Sequence, residues 1–281
     1  MKRMNDPVYP RRDILLLMPF LVGFAMFYVL PLFISPYYAL IRSAFNAQFA
    51  GLDNFKTIMN NPFYRLAYGN TFRFTVVAAP LSVLLAVLLG FALRKSAMPS
   101  VWMAAFVLPI LLPTASVCAV MRQVFSSGFL FTFAPFSREQ YWVERLSLYA
   151  FYLWKYTGMS LLIFYGALSN FPRDILEAAA LDNAGALRCA VQVVLPCLTP
   201  QTIFMLTYAC ANSFQIFREA YLLYGSYPND SVYQLQHYMN NHFLKLNYQY
   251  VTSGGILFTV PVVMLVALGL LMTRRQEAEL A

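Results

Sequence analysis

Charged and amide side chains are rare in this sequence, so those that fall among apolar residues carry the first information about its chemistry. Glu177 and Asp182 lie five residues apart within FPRDILEAAALDNAGALRCAVQVVLPCLTP, residues 171–200. General acid–base catalysis needs such groups within reach of a reacting atom. This pair instead belongs to a polar turn, where its charge suits ionic pairing with a basic surface. Tyr208, Asn212, Gln215 and Glu219 recur at i, i+4, i+7 and i+11, which places four polar groups along one face of a helix. Inside an apolar run, such a stripe serves either interhelical hydrogen bonding or a hydrophilic path for a polar solute, and four groups in line favour the path. Lys155, in LWKYTG at 153–158, either snorkels to water between Trp154 and Tyr156 or faces a water-filled cavity. His237 and His242 have no Cys or acidic cluster beside them and read as solvated loop residues rather than metal ligands. Cys118, Cys189, Cys197 and Cys210 read as free apolar thiols. There is no GxxxxGK[ST] phosphate loop, no dinucleotide fingerprint and no Ser/His/Asp set. The expectation is therefore a chain without catalytic residues and without a metal site.

The elements that position these residues follow from the surrounding pattern. Around Glu177, Pro172 suits a first helical position, and Asp174 and Glu177 place negative charge at the positive end of the helix dipole. Ile175, Ala178, Ala179 and Leu181 supply an apolar side. Asp182-Asn183-Ala184-Gly185 then reverses the chain with residues that tolerate turn conformations. A second helix, residues 186–194, carries Leu187, Ala190, Val191 and Val194 before Pro196 ends or kinks it. The result is a helical hairpin with one apolar face.

The remaining polar groups sit in runs that are apolar enough for lipid. Sixty per cent of residues are apolar, 17% aromatic and only 11% charged, with a mean hydropathy of +0.57; soluble chains are about a quarter charged. A hydrocarbon core of about 30 Å takes about 20 helical residues to cross. Six runs qualify: 14–36, 72–93, 101–121, 148–169, 201–222 and 251–272. The fold class expected is an all-α integral membrane protein of six transmembrane helices with a cytoplasmic helical hairpin. With residues 1–13 and 273–281 both cytoplasmic, the 58 inner residues hold ten of the 20 Lys and Arg, against seven in the 83 outer residues. That bias follows the positive-inside rule. The net charge of +8 is then a topology signal, and no basic cluster favours nucleic acid.

Other features fit this layout. The first apolar run is too long for a signal peptide and lacks a small-residue cleavage pattern, so it reads as a retained helix. Residues 43–70, with turn signals at Gly51, Asp53-Asn54 and Asn60-Asn61-Pro62, read as an outer connector holding one short amphipathic helix. Pro80, Pro109 and Pro113 are expected to loosen spans two and three locally. Ser253-Gly254-Gly255 permits close helix approach in the last span.

The hairpin also has a family resemblance. Glu177-Ala178-Ala179, Asp182, Val193-Val194-Leu195-Pro196 and Pro200 resemble the EAA signature of permease subunits in binding-protein-dependent ABC importers: EAA, three residues, Gly, nine residues, Ile-x-Leu-Pro. The spacing is intact, with Asn183 in place of the usual Gly and Val193 in place of Ile. Asn tolerates the left-handed turn better than other non-Gly residues. GLDNF at 51–55, NPFYRLAYGNTFRFT at 61–75, FPRDILEAAALDNAGA at 171–186 and, more weakly, FREAYLLYGSYP at 217–228 look like carbohydrate-uptake permeases of the maltose and glycerol-phosphate type.

That resemblance implies a multi-pass subunit of the cytoplasmic membrane that moves a sugar or polyol by alternating access. It implies as partners a second, unlike permease subunit, two cytoplasmic ABC ATPase subunits and an extracytoplasmic solute-binding protein, all around a lipid bilayer. ATP and Mg would be held by the ATPases, with no cofactor on this chain. The coupling residues it implies are Glu177, Ala178, Ala179, Asp182, Asn183, Gly185, Leu195 and Pro196. The solute path it implies runs along Asn212, Ser213, Gln215 and Tyr208, with Tyr156 and Met159 opposite. The alternative is an ATP-independent secondary transporter or channel, which calls for inverted repeats or a chain of intramembrane carboxylates; neither is seen.

Overall fold

The computed structural model describes residues 11–45, 47–126, 140–181 and 185–280. The described residues form no β-strand, only an isolated Ile41–Phe49 bridge, and the chain is all-α. Its backbone separates into two units, one built from residues up to Asn60 with His242–Phe258, the other from Asn61–Asn241 with the residues after Phe258.

In the first unit, α1 (Arg11–Phe24) runs through a π-helical turn, Ala25–Val29, into α2 (Leu30–Leu40). Its apolar side chains, among them Leu16, Phe20, Phe27 and Phe33, are exposed, as lipid-facing residues would be. The chain then turns through Gly51, whose φ of +56° only Gly adopts freely, into α3 (Asp53–Asn60). Asn54 fixes this helix by donating from Nδ2 to the carbonyls of Ala39 (2.9 Å) and Ile41 (2.7 Å). Ser253, in the small-residue stretch of the last apolar run, is fully buried, with its Oγ 3.4 Å from the Ala39 carbonyl.

The second unit opens with α4 (Pro62–Leu93). Asn61 caps it, Oδ1 accepting from the backbone N–H groups of Phe63 and Tyr64, and Pro62 occupies a position where a missing N–H costs nothing. The helix therefore starts ten residues before the apolar run 72–93 and absorbs part of the stretch expected to be a connector. There follow α5 (Pro99–Leu111), α6 (Thr114–Ser126), α7 (Gln140–Ser169), α8 (Arg173–Leu181) and α9 (Ala186–Cys189). A π-helical turn, Ala190–Val194, leads to α10 (Leu195–Cys197), α11 (Thr199–Gln215), α12 (Phe217–Tyr224), α13 (Leu235–Leu244) and α14 (Tyr248–Leu280). The last two contribute residues to both units.

Helices cover all six expected spans, but not as six straight rods. Among the described residues, Leu16–Leu40, Pro62–Leu93 and Tyr248–Gly269 are each long and apolar enough to cross a membrane. Two further stretches qualify only as bent pairs: α5 with α6, at 94°, and Ala190–Cys197 with Thr199–Tyr224, at 68°. The first bend corrects the expectation of a loosened but continuous span at 101–121. Pro113 has no N–H to extend α5 and pushes Leu112 out of the helical region, to φ −73°, ψ 138°. α7, over the expected span 148–169, is long enough but too polar to qualify by composition.

Between helices in lipid, close approach matters more than expulsion of water. Ala78, Ser82, Ala86 and Gly90 recur every four residues along α4, and all are buried. At Gly90 a Cβ would lie 3.1 Å from Leu168 of α7. Gly158 is tighter still: a Cβ there would overlap the Phe106 carbonyl of α5. One core cluster then gathers Val87, Phe164, Leu168 and Met205 from α4, α7 and α11. A second gathers Phe74, Cys118, Phe151, Tyr152 and Ile216.

Candidate functional site

The EAA stretch folds as a helix pair, α8 and the α9–α10 stretch, set between α7 and α11. Helix α8 opens at Arg173, so Pro172 stands just ahead of it. One side of the pair is built into the core: Phe171, Val194 and Leu198 are buried with Leu93 and Leu168, and Leu176, Cys189 and Leu195 pack against them. The other side is exposed among the described residues. Ile175, Leu181 (85% exposed) and Val191 present apolar surface there, and Glu177 is exposed beside them. Ala179 is buried, Pro196 and Gly185 are exposed, and Ala178 lies within α8. Asp182 and Asn183, at the expected turn, lie outside the described residues. Arg188 Nε donates to Gln192 Oε1 at 2.8 Å, one turn on, which stiffens the return helix.

The polar stripe crosses from α11 into α12 at Ile216, whose φ of −60° and ψ of −17° stay in the helical region. Asn212 is buried, and its Nδ2 donates to the Tyr208 carbonyl of its own helix at 2.9 Å. Its donor is thus satisfied locally, without the interhelical bond that was one of the two expectations. Ser213 is fully buried, sharing a 2.7 Å hydrogen bond with Thr75 of α4 and lying 2.7 Å from the Cys210 carbonyl. Tyr208 and Met159 are half-buried, and Gln215 is exposed. Of the six path residues, the structure ties Tyr156 directly to the ionic group described next, its hydroxyl lying 3.5 Å from Glu219 Oε1.

Glu219, fourth in the stripe, is 1% exposed and closes on Lys155, 6% exposed. Lys155 Nζ donates to Glu219 Oε1 at 2.6 Å and to Thr114 Oγ1 at 2.6 Å. Lys155 therefore neither snorkels nor lines an open cavity, because a carboxylate inside the bundle neutralises it more completely than interfacial water could. The cluster joins three helices, Lys155 from within α7 and the other two residues from the starts of theirs. Thr114 opens α6 just past the 94° bend, and Glu219 sits in the first turn of α12, just past Ile216, where the helix dipole favours a carboxylate. Glu219 Oε2, Thr157 Oγ1 and Ser160 Oγ are buried without a partner among the described residues. The pairing was missed in sequence because the partners are 64 residues apart. The available signal was one Lys inside one apolar run and one Glu, next to Arg218, inside another, since intramembrane charges pair.

The histidines also depart from expectation. His237 is fully buried, in contact with the rings of Phe217 and Tyr233 at 4.7 and 5.6 Å between centroids. Its Nδ1 accepts the Gln234 N–H at 3.1 Å. Burial among aromatic rings disfavours the charged imidazolium and pulls its pKa from 6.5 down to about 4. His242, half-buried, is shifted the same way by burial and by Lys245.

The model of the binding-protein-dependent transport system inner membrane component family matches residues 72–278, well over half the chain. The chain belongs to that family. It is a transport permease component and not itself an enzyme. The arabinooligosaccharides transport system permease protein AraP of Bacillus subtilis (strain 168) is 28% identical over 224 residues, 73% of this chain and 70% of the relative. The sn-glycerol-3-phosphate transport system permease protein UgpA of Escherichia coli O6:K15:H31 (strain 536 / UPEC) is 29% identical over 233 residues, 75% of this permease and 78% of the relative. The fold matches a chain of a bacterial alginate ABC transporter, crystallised with an alginate pentasaccharide-bound periplasmic protein. The TM-score is 0.78 at 19% identity, over 94% of the permease and 96% of that chain.

Proposed function

We propose that this permease component forms, with a second and unlike permease subunit, the pathway of an ABC importer for a sugar or polyol. Two cytoplasmic ATPases that bind ATP and Mg would grip the EAA hairpin, and an extracytoplasmic binding protein would deliver the solute. Both termini lie in the cytoplasm in this reading, as the bias of Lys and Arg requires. The observation that carries it is the two-sided hairpin: Phe171, Val194 and Leu198 anchor it in the core while Ile175, Leu181 and Val191 stay uncovered. Burial of apolar surface returns about 25 cal/mol per Å², so seating those side chains in an ATPase groove yields a few kcal/mol. Differential binding of that size shifts a two-state equilibrium far enough to alternate access. The solute class rests on relatives whose names specify arabinooligosaccharides and sn-glycerol-3-phosphate. Asn212, Ser213, Gln215, Tyr208, Tyr156 and Met159 remain the path residues of this proposal, and the three buried ones, Asn212, Ser213 and Tyr156, must become accessible as helices move.

The test uses the assembled importer in proteoliposomes. Glu177→Lys should leave the permease inserted and folded, uncouple ATP hydrolysis from solute, and abolish uptake. Normal uptake by that variant would remove the hairpin from the coupling mechanism. Asn212→Ala should lower uptake, and unchanged transport would return Asn212 to a packing role.

A further inference from the structure

Away from the stripe and the ion pair, α4, α7 and the segment following α12 enclose a polar cleft. Arg73 and Phe74 line it from α4, Arg145 and Tyr149 from α7, and Ser231 and Gln234 from the segment before α13. It is open on one side, with a cavity volume of about 30 Å³, which suits a single acidic group. Arg73, Arg145, Ser231 and Gln234 bring donors to it, and Asn70, whose Nδ2 donates to the Asp230 and Tyr233 carbonyls, adds an acceptor, Oδ1. Arg145 is half-buried and steered inward, with its guanidinium 5.3 Å from the Trp142 ring centroid and Nε directed at the Ser231 carbonyl at 3.4 Å. That uses one of five N–H donors. Ser231 Oγ is buried with no partner among the described residues. The Gln234 Oε1 is engaged by Thr71 at 2.9 Å, leaving the amide nitrogen as the donor end.

Among the described residues no carboxylate forms an ion pair in this cleft. Among the described residues the ion pair within 4.0 Å is Lys155–Glu219, so neither Arg73 nor Arg145 has an acidic partner there. Glu144, beside Arg145 in sequence, has both oxygens 2.8 Å from Asn229 Nδ2. Asp230, beside Ser231, is exposed. Two guanidinium forks, a hydroxyl and an amide complement a group with several acceptor oxygens and negative charge, since arginine matches carboxylate and phosphate geometry. Phe74, which is buried, stacks on Tyr149 at 4.7 Å between ring centroids and gives the cleft an apolar wall.

We propose that this cleft binds the acidic group, a carboxylate or a phosphate monoester, of the transported solute, making the permease selective for an anionic sugar or polyol. The proposal rests on the functional reading above and narrows its substrate class. In that topology the cleft stands on the outer side, ahead of the path residues, where an arriving anion would be sorted. A phospholipid phosphate presents the same chemistry, and the experiment separates the two sources.

The full-length chain, with Trp102→Phe and Trp154→Phe so that Trp142 reports on Arg145, is placed in phosphatidylcholine nanodiscs and titrated with D-galacturonate, inorganic phosphate and D-galactose. Galacturonate and phosphate should change Trp142 emission and galactose should not. Arg73→Gln and Arg145→Lys should each weaken galacturonate binding about tenfold or more, with unchanged thermal melting as the check on folding. Equal responses to galactose and galacturonate, or affinities indifferent to both arginine variants, overturn the proposal. So does a signal that follows phosphatidylglycerol content and ignores the soluble anions, which would make the cleft a lipid site. No ATPase takes part, so a negative result here leaves the Glu177→Lys test standing, and failure of that test leaves anion binding measurable.

Discussion

Removal of Lys155 is the sharpest test of how the bundle is held together. In Lys155→Met the Glu219 carboxylate, 1% exposed, loses a cation 2.6 Å away. At an effective dielectric of about 20, two charges at that distance attract by about 6 kcal/mol, most of it offset by the cost of taking both out of water. What the variant leaves is the uncompensated ion, and breaking a buried pair in this way costs about 3–5 kcal/mol. At about 2–4 °C per kcal/mol for chains of this order, the melting temperature should fall by roughly 6–20 °C. The assay is reaction of a thiol dye with buried Cys118 and Cys210 during heating, in a background where the exposed Cys197 and the half-buried Cys189 are replaced by Ser. Lys155→Met/Glu219→Leu should recover most of the loss, because removing both charges leaves nothing unpaired. A single variant that melts within about 2 °C of the parent, or a double variant as unstable as the sum of the singles, would refute the ion pair as a structural joint.

Gly158→Ala should lower the melting temperature by an amount equivalent to about 1–3 kcal/mol, since its Cβ overlaps the Phe106 carbonyl, while Gly166→Ala, with open space around it, should be neutral; equal effects in the two would rule out the tight α5–α7 crossing. His237 sets a pH dependence. Its folded pKa, about 4, lies below the unfolded 6.5, so its contribution is complete above pH 6.5 and is lost as pH falls towards 4, by at most about 3 kcal/mol. Hydrogen exchange in residues 229–241 should accelerate across that window, and His237→Phe should remove the His237 part of the slope.

The positions of the apolar runs were legible because a membrane demands about 20 apolar residues per crossing, and the hairpin was legible because its charges, turn residues and prolines act locally. What escaped depends on contacts across the chain. Pro113 was visible, yet a proline between apolar helices permits either a kink or a full break, and only the packing around it decides for 94°. The stripe from Tyr208 to Glu219 was extrapolated at 100° per residue, and that spacing could not show that Asn212 bonds within its own helix while Glu219 pairs across the bundle. Lys155 and His237 were given to solvent because their partners, Glu219 and a cage of rings, come from other elements. The arginine cleft likewise draws on residues spread from Arg73 to Gln234.

The distance along the chain between Lys155 and Glu219 also orders the protein's assembly. Lys155 is made 64 residues before the carboxylate that neutralises it. At about 5–20 residues per second, synthesis leaves it without that partner for roughly 3–13 s. Every copy of the chain therefore passes through a state in which Lys155 has no Glu219 to pair with, and the joint between α7 and α12 closes only after the later helix has been made.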